Sequence, residues 1–304
     1  MARFGTARRG FTLVEMLVVL AIIGILTAIL VPTLGVVMRS VRQTSARVEM
    51  KNMEAAIEKY KNDVGTYPID FQVASLIFPH VRAVSNRAVG TEALYASMMV
   101  DPLPNPYFQT NPTEPEFRTF QTMSPHEAIV FLLSELSENK EYPFGYRYDG
   151  TNWQLIDFTW NGSTWSLSGT KRAYFAFDQK RLRDNDNDGW LEFVPSGFDM
   201  PYVYYDARTY VNAPGIASLQ MDFDTGAGPG LTGYTSGGTI VPYAASPTEF
   251  INPKSYQLIC AGVDNYFGSG AVVRTYPAGG NFTDGDNDNL ANFAESRLDQ
   301  QLAQ

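Results

Sequence analysis

The sequence predicts an α+β fold: a long N-terminal helix, membrane-spanning in its lower half, packs its upper half on an antiparallel β-sheet head. Three observations predict it. Met16 to Met38 is a run of 23 residues without a charge, Ser40 to Asp63 sets apolar residues at helical spacing between charged ones, and beyond Gly65 short aromatic and β-branched runs alternate with turn residues.

As a helix the apolar run spans roughly 34 Å at 1.5 Å per residue, against a bilayer core of about 30 Å. Arg3, Arg8 and Arg9 precede it with no acid among them. By the positive-inside bias, the N-terminal side stays cytoplasmic and the body of the chain lies outside. An ordinary secretory signal has a shorter apolar core with a small-residue cleavage site behind it, and neither is evident. Glu15 sits in FTLVEMLVVLAIIGIL with apolar neighbours on both sides. A carboxylate at membrane depth is costly unless partnered, which marks Glu15 as functional; the alternative is a residue snorkelling from one end of the span.

Beyond Ser40 the period persists but the composition changes. Val41, Val48, Met53, Ala56, Ile57, Tyr60 and Val64 lie at helical spacing, with Glu49, Lys51, Glu54, Glu58, Lys59 and Lys61 on the exposed side. A helix from Phe11 to Asn62 would be roughly 78 Å long, and Gly65 is its expected stop. The five prolines between Asp101 and Pro115 allow neither a regular helix nor a central strand. Ser124-Pro125-His126-Glu127 reads as an N-cap, a first-turn proline and a third-position glutamate opening the apolar helix AIVFLLSEL. Downstream, YPFGYRYDG, NWQLIDFTW, STWSLSG, YFAFD, WLEFV, YVYYDAR and YQLICAG read as strands. Thr225 to Gly238 is a glycine-rich loop without a phosphate-binding pattern.

Composition bounds the function. With 304 residues, 44% hydrophobic and 18% charged, the chain is long and apolar enough for a proper core, which excludes a disordered polyampholyte. A formal charge of -9 argues against a nucleic-acid partner. The one cysteine, Cys260, excludes an internal disulfide framework and a cysteine-based zinc site and reads as a buried free thiol. His80 and His126 are the only histidines and offer no convincing triad or zinc set.

The stretch RRG-FTLVEMLVVLAIIGILTAILVP resembles the N-terminus of type IV pilins and of type II secretion pseudopilins. The resemblance implies that a prepilin peptidase cuts after Gly10 and methylates the new N-terminus at Phe11. It also implies that Glu15 pairs with the Phe11 amine of a neighbouring subunit in a homo-oligomeric filament, and that Pro32 kinks the helix. The implied organisation is a cleaved leader over 1–10, a transmembrane part over 11–38, an amphipathic upper half over 39–64 and a pilin-like head with insertions over 65–304. Losing the leader removes three arginines and no acid, taking the formal charge to -12. MEAAIEKYKNDVGTYP resembles the helix end and loop of major pseudopilins in particular.

Two acidic clusters point to Ca2+. Asp284, Asp286 and Asp288 fall at positions 1, 3 and 5 of a D-x-D-x-D pattern with Glu295 at position 12. Asp184, Asp186 and Asp188 are followed by Gly189, but Pro195 falls at position 12 and leaves Glu192 as the later carboxylate. Alternating aspartates in a turn converge several oxygens on one centre, as a hard cation with six to eight oxygen ligands requires. The alternative for both is a solvated Asx-turn loop. YQLICAGVDNYFGSG followed by TDGDNDNLANFAE resembles the C-terminal loop of major pseudopilins. That likeness implies a structural Ca2+ and adds Asp264 to its ligands.

The expected function is a structural subunit of a type II secretion pseudopilus, assembled through its N-terminal helix to drive protein export. It would work with other pseudopilins and an inner-membrane assembly platform. Such a subunit is a single-pass protein of the bacterial inner membrane with a periplasmic head. The alternative is a pilin of an adhesive or motility filament, and a membrane-anchored enzyme ranks last.

Overall fold

The computed structural model describes residues 12–72, 123–138, 172–210, 221–224 and 234–302, apart from residues 135, 187, 235 and 271. It also describes Phe144 and six short strands between residues 103 and 167. The leader over 1–10, Phe11, His80 and most of the proline-rich and glycine-rich stretches lie outside the described residues.

Helix α1 runs over Leu13–Val64, 52 residues, continuous through Pro32. The chain divides into two compact units, Met1–Thr44 and Ser45–Gln304. In the first, residues 12–42 are exposed on every side, Leu20 by 67% and Val31 by 67%, so the apolar surface has no cover among the described residues. The hydroxyls in this stretch are turned back on their own helix. Thr27 Oγ1 donates to the Ile23 carbonyl at 2.8 Å and Thr33 Oγ1 to that of Leu30 at 2.8 Å, which satisfies both hydroxyls of the uncharged run in an apolar solvent. The helix is long and apolar enough to cross a membrane. It ends as expected: Gly65 has φ of +89° and its N–H donates to the Lys61 carbonyl at 2.7 Å, the left-handed stop that glycine adopts without steric cost.

In the second unit the buried stripe of α1 is Ala46, Met50, Met53, Ala56, Ile57 and Tyr60. The expected face included Val41 and Val48, which are 57% and 56% exposed. Steps of three and four residues lead from Ala46 to Tyr60, and Val48 lies about 200° around the helix from Met50. The charged residues gave the right side for the later part of the helix and the wrong one for its beginning.

The stripe shares one buried core with helix α2, Pro125–Ser134, whose residues are buried from Pro125 to Leu133. Its start follows the expected capping pattern. The Ser124 N–H donates to Glu127 Oε2 at 2.7 Å, and the Ala128 N–H donates to the Ser124 carbonyl at 3.0 Å. Its end corrects one strand assignment. The N–H groups of Tyr174 and Phe175 both donate to the Leu133 carbonyl, at 2.7 and 3.2 Å, so YFAFD caps the last turn of α2 instead of extending a sheet.

Among the described residues the strands form one three-stranded sheet and several two-stranded ladders, where the sequence suggests a single sheet. The antiparallel pairs are β1 (Leu103–Pro104) with β2 (Phe117–Arg118), β3 (Tyr146–Tyr148) with β4 (Trp153–Leu155), and β5 (Phe158–Trp160) with β6 (Trp165–Leu167). Next comes β7 (Leu182–Arg183) with β8 (Glu192–Phe193). The central sheet has β14 (Tyr256–Cys260) between β9 (Val203–Asp206) and β15 (Leu290–Ala291), all antiparallel. The short helix α3, Ala207–Tyr210, continues β9, and β10 (Met221–Asp222) pairs with β11 (Thr239–Ile240) and β12 (Ala244–Ser246) with β13 (Glu249–Phe250).

Both faces of the central sheet are covered, so its residues alternate between two cores instead of between core and water. Tyr202, Tyr204, Leu258 and Cys260 join α1 and α2 in one; Val203, Tyr205 and Ile259 join Tyr243, Phe267 and Leu298 in the other. Cys260 is a buried free thiol, pushed up to about 12 by burial.

Polar pins join α1 to this core. Arg181 forks onto both oxygens of Glu49, the Tyr202 hydroxyl donates to the Ala46 carbonyl at 2.9 Å, and Arg47 Nη1 donates to the Ala294 carbonyl at 2.8 Å. The segment after α1 is held by Asp70, which accepts from the Asp206 N–H at 3.1 Å, the Thr209 hydroxyl at 2.8 Å and the Gln72 N–H at 3.2 Å.

Burial and the neighbouring Asp206 carboxylate push Asp70 up to about 7. Arg208, across from it, is bound to Asp206. A folded-state value above the unfolded one means that the folded head holds this proton more tightly at mildly acid pH. That contribution is complete below the unfolded carboxylate range and is lost as pH rises through about 7. In chelator, the head of the detergent-solubilised chain should therefore melt lower at pH 8 than at pH 6. Asp70→Asn, uncharged throughout, should reduce the slope, the remainder coming from Asp264 and Asp186, which are also raised to about 7 and about 8; a slope unchanged by this substitution removes Asp70 as a source.

Candidate functional site

Three places carry the candidate residues. The first is the start of α1. Thr12 caps the helix: its N–H and hydroxyl donate to Glu15 Oε2 at 2.7 and 2.8 Å, and the Glu15 N–H donates to Thr12 Oγ1 at 3.2 Å. This reciprocal pair is a capping box that the sequence reading passed over, although threonine three residues before glutamate is its signature. Glu15 thus has a role within its own chain as well as a carboxylate exposed at the head of an apolar helix. Gly10 and Phe11, the expected processing positions, lie outside the described residues.

The second place is the C-terminal acidic loop, and here the structure divides the aspartates. Asp284 to Asp286 form a single 3-10 turn capped by Thr283. Asp286 points inward: its Oδ2 accepts from the Thr283 N–H and hydroxyl, both at 2.7 Å, and its Oδ1 pairs with Arg274. The partners are 0% and 1% exposed. Asn289, at the glycine position of the pattern, is also buried and donates through Nδ2 to the Tyr243 hydroxyl and the Phe267 carbonyl. The linear set expected from the spacing is therefore not assembled. A buried guanidinium claims its middle member, while Asp284 and Glu295 are exposed at the surface.

Asp288 instead meets Asp264. Asp288 Oδ2 accepts from the Val263 and Asp264 N–H groups at 2.7 and 3.3 Å, and its Oδ1 is buried with no hydrogen-bond partner among the described residues. Gly262, at φ of +73°, lies so close that a Cβ there would run into the Asp288 carboxylate. Burial and the Asp288 charge push Asp264 up to about 7. Two carboxylates at one glycine cradle, one with an unsatisfied buried oxygen, fit a hard divalent cation.

The third place is the Asp184–Gly189 loop. The Gly189 N–H donates to Asp184 Oδ2 at 3.1 Å and the Trp190 N–H to Asp188 Oδ1 at 2.9 Å, so the loop folds over its own carboxylates. Glu192, the expected later ligand, is drawn away. It is 2% exposed, its Oε2 lies 3.3 Å from His126 Nε2, and it accepts from the Tyr234 hydroxyl and Asn185 Nδ2. Glu127 takes its place: carboxylate oxygens of Glu127, Asp186 and Asp188 lie within 4.8 Å of one another. The sequence reading used Glu127 only as a cap. Its sequence distance from the loop hid this neighbourhood, and a glutamate in an otherwise apolar helix was the available signal. His126 also contacts the Ser124 hydroxyl through Nδ1 at 2.8 Å, but Ser124 and His126 are 0% and 1% exposed, which seals this group from solvent.

Residues 5–31 match the prokaryotic N-terminal methylation motif. The chain is 33% identical over 153 residues to the type II secretion system core protein G of Escherichia coli strain K12, covering 49% of this chain and 92% of that protein. It is 32% identical over 99 residues to the protein of the same name from Pseudomonas aeruginosa, covering 32% of this chain and 70% of that one. It is also 30% identical over 96 residues to the fimbrial protein EcpC of Eikenella corrodens, covering 30% of this chain and 63% of that protein. No solved structure matches it. With the methylation motif at its N-terminus and near-complete coverage of a core protein G at 33% identity, the chain belongs to the type IV pilin-like major pseudopilins of type II secretion systems.

Proposed function

We propose that this structural subunit assembles into a pseudopilus through α1 and drives protein export. The observation that carries the reading is the helix surface over residues 12–42, apolar for most of its length and uncovered among the described residues. In a membrane, lipid covers such a surface; in a filament, the same surface on neighbouring copies covers it, so one helix serves both states. The N-terminus faces the cytoplasm and the head the periplasm, and a prepilin peptidase releases residues 1–10. The subunit then joins other pseudopilins at an inner-membrane platform. The likeness to a fimbrial protein supports a second reading, a pilin of an adhesive or motility filament. Deleting the gene and assaying both export and surface filaments separates them: loss of export with surface pili intact supports the pseudopilus, and the reverse supports the pilus.

Calcium is part of the proposal. Asp264 and Asp288 would hold it beside Gly262, where the unsatisfied Asp288 oxygen and the crowded carboxyl pair support an ion of opposite charge. Its chemistry is structural: it ties the turn after β14 to the loop before β15.

Three outcomes test these points. Mass spectrometry of the membrane-extracted protein should show a chain starting at Phe11 with one added methyl group, and an intact Met1 terminus would overturn the processing. Glu15→Gln keeps an acceptor for the Thr12 cap but removes the charge. It should leave processing and membrane insertion intact and reduce cross-linked filament several-fold; assembly at the wild-type level would confine Glu15 to capping.

For calcium, Asp288→Asn should abolish most of the rise in melting temperature that Ca2+ gives the full chain. That rise corresponds to about 2.7 kcal/mol at a hundredfold excess over Kd. Asp286→Asn should instead lower the melting temperature in chelator, by about 3 to 5 kcal/mol of stability, because it strands a buried arginine. Loss of the calcium response in Asp286→Asn alone would exchange the two roles.

A further inference from the structure

Two basic residues close the apolar part of α1 without a partner. Arg39 and Arg42 directly follow the uncharged run, are exposed, and make no hydrogen bond or ion pair among the described residues. No acidic residue occurs between Glu15 and Glu49, so none lies within a turn of either arginine along the helix. Arg47, the next basic residue, is instead taken up by the Ala294 carbonyl at 2.8 Å. Arg39 and Arg42 are three residues apart and therefore neighbours on one side of α1, where like charges repel unless an anion joins them.

Their height on the helix is a separate observation. At 1.5 Å per residue, Arg39 lies roughly 36 Å from Glu15 and Arg42 about 4.5 Å farther on. A bilayer measures about 30 Å across its hydrocarbon core and about 40 to 45 Å with its headgroups. With Glu15 at one boundary of the core, Arg39 reaches the headgroup layer of the other leaflet. Arg42 stands at the outer edge of that layer, within reach of the same phosphates through its long side chain. Arginines on the translocated side of a span run against the positive-inside bias and call for a reason of their own. Once residues 1–10 are released, they are also the first basic side chains of the chain, since none occurs between Phe11 and Met38.

We propose that Arg39 and Arg42 form a clasp for the phosphates of anionic phospholipid in the outer leaflet, which sets the depth of the subunit in the membrane. The inference rests on the reading of α1 as membrane-spanning with the head outside. A guanidinium presents paired N–H donors that match phosphate oxygens, and a lipid with net negative charge also neutralises the two arginines. When the helix leaves lipid for a filament, both charges must exchange phosphate for another anion. The clasp therefore opposes withdrawal of the subunit, and more strongly where anionic lipid is abundant.

The test uses the mature chain, extracted from membranes and reconstituted in phosphatidylcholine vesicles with a trace of spin-labelled lipid. Electron spin resonance separates lipid held at the protein from bulk lipid. Wild type should hold spin-labelled phosphatidylglycerol severalfold more than phosphatidylcholine labelled at the same acyl position, and added salt should weaken the preference. Arg39→Gln combined with Arg42→Gln should lose most of it, while the head melts as in wild type because both residues are exposed. Arg39→Lys combined with Arg42→Lys keeps the charges and should keep most of the preference. Flotation with the vesicles separates this inference from the reading beneath it. A chain that fails to float overturns the membrane span and the clasp together. A chain that floats but holds both lipids equally, or whose preference survives in the double glutamine variant, overturns the clasp alone and leaves the arginines to an acidic protein partner.

Discussion

The packed layers around α1 rest on the contact that Ala46, Met50, Met53, Ile57 and Tyr60 make with the head. These residues are at most 2% exposed, and burying side chains of this size contributes about 1.5 to 3 kcal/mol each for the larger ones. The same helix must also be bare and apolar lower down. One continuous backbone therefore meets two solvents, and its sequence changes from apolar on all sides to apolar on one stripe within a few turns. The stripe begins at Ala46, after Arg39 and Arg42 have ended the uncharged run. The lower helix is suited to lipid or to other helices, while the upper helix already has its partner in its own chain.

The head is unusual in where it keeps its acids. Some are neutralised in place. Asp286 has Arg274, Glu49 has Arg181, and Asp206 has Arg208. Removing either member of such a pair leaves a desolvated charge, so these contacts fix the arrangement of loops more than they add to its stability. Other acids crowd against one another: Asp264 against Asp288, and Glu127 against Asp186 and Asp188. Burial and like charge hold protons on Asp264 and Asp186 at values of about 7 and about 8. A folded head that keeps protons on aspartates near neutral pH is a head that an external divalent cation can stabilise by taking their place.

Much of this was legible in the sequence. The uncharged run, the glycine stop at Gly65 and the cap at Ser124 are local signals, set by residues within a turn of one another. They survive into the structure because no distant contact competes with them. The phase of the α1 stripe was less legible: Val41 and Val48 are apolar and helically spaced, and only the shape of the head shows that their side of the helix is uncovered. YFAFD has the composition of a strand, but the open carbonyl at Leu133 drew its amides to the end of α2. The two-faced central sheet was hidden for a related reason, since strands buried on both sides lose the apolar-polar alternation that identifies a half-exposed strand.

The two acidic loops show where local pattern stops being informative. Both read D-x-D-x-D, and a spacing rule treats them alike. In one, Arg274 arrives from a preceding turn and takes the middle aspartate into the core, so the cation fit shifts to Asp288 and to Asp264 on another segment. In the other the carboxylates of Asp186 and Asp188 stay together and are met by that of Glu127, far back along the chain. Identical spacing supports different outcomes because each carboxylate answers to the groups that the fold brings to it, whatever its neighbours in sequence. The placement of arginines relative to such loops is therefore as informative as the spacing of aspartates within them. The departure at Pro195 was itself a sign that any closing ligand had to come from elsewhere in the fold.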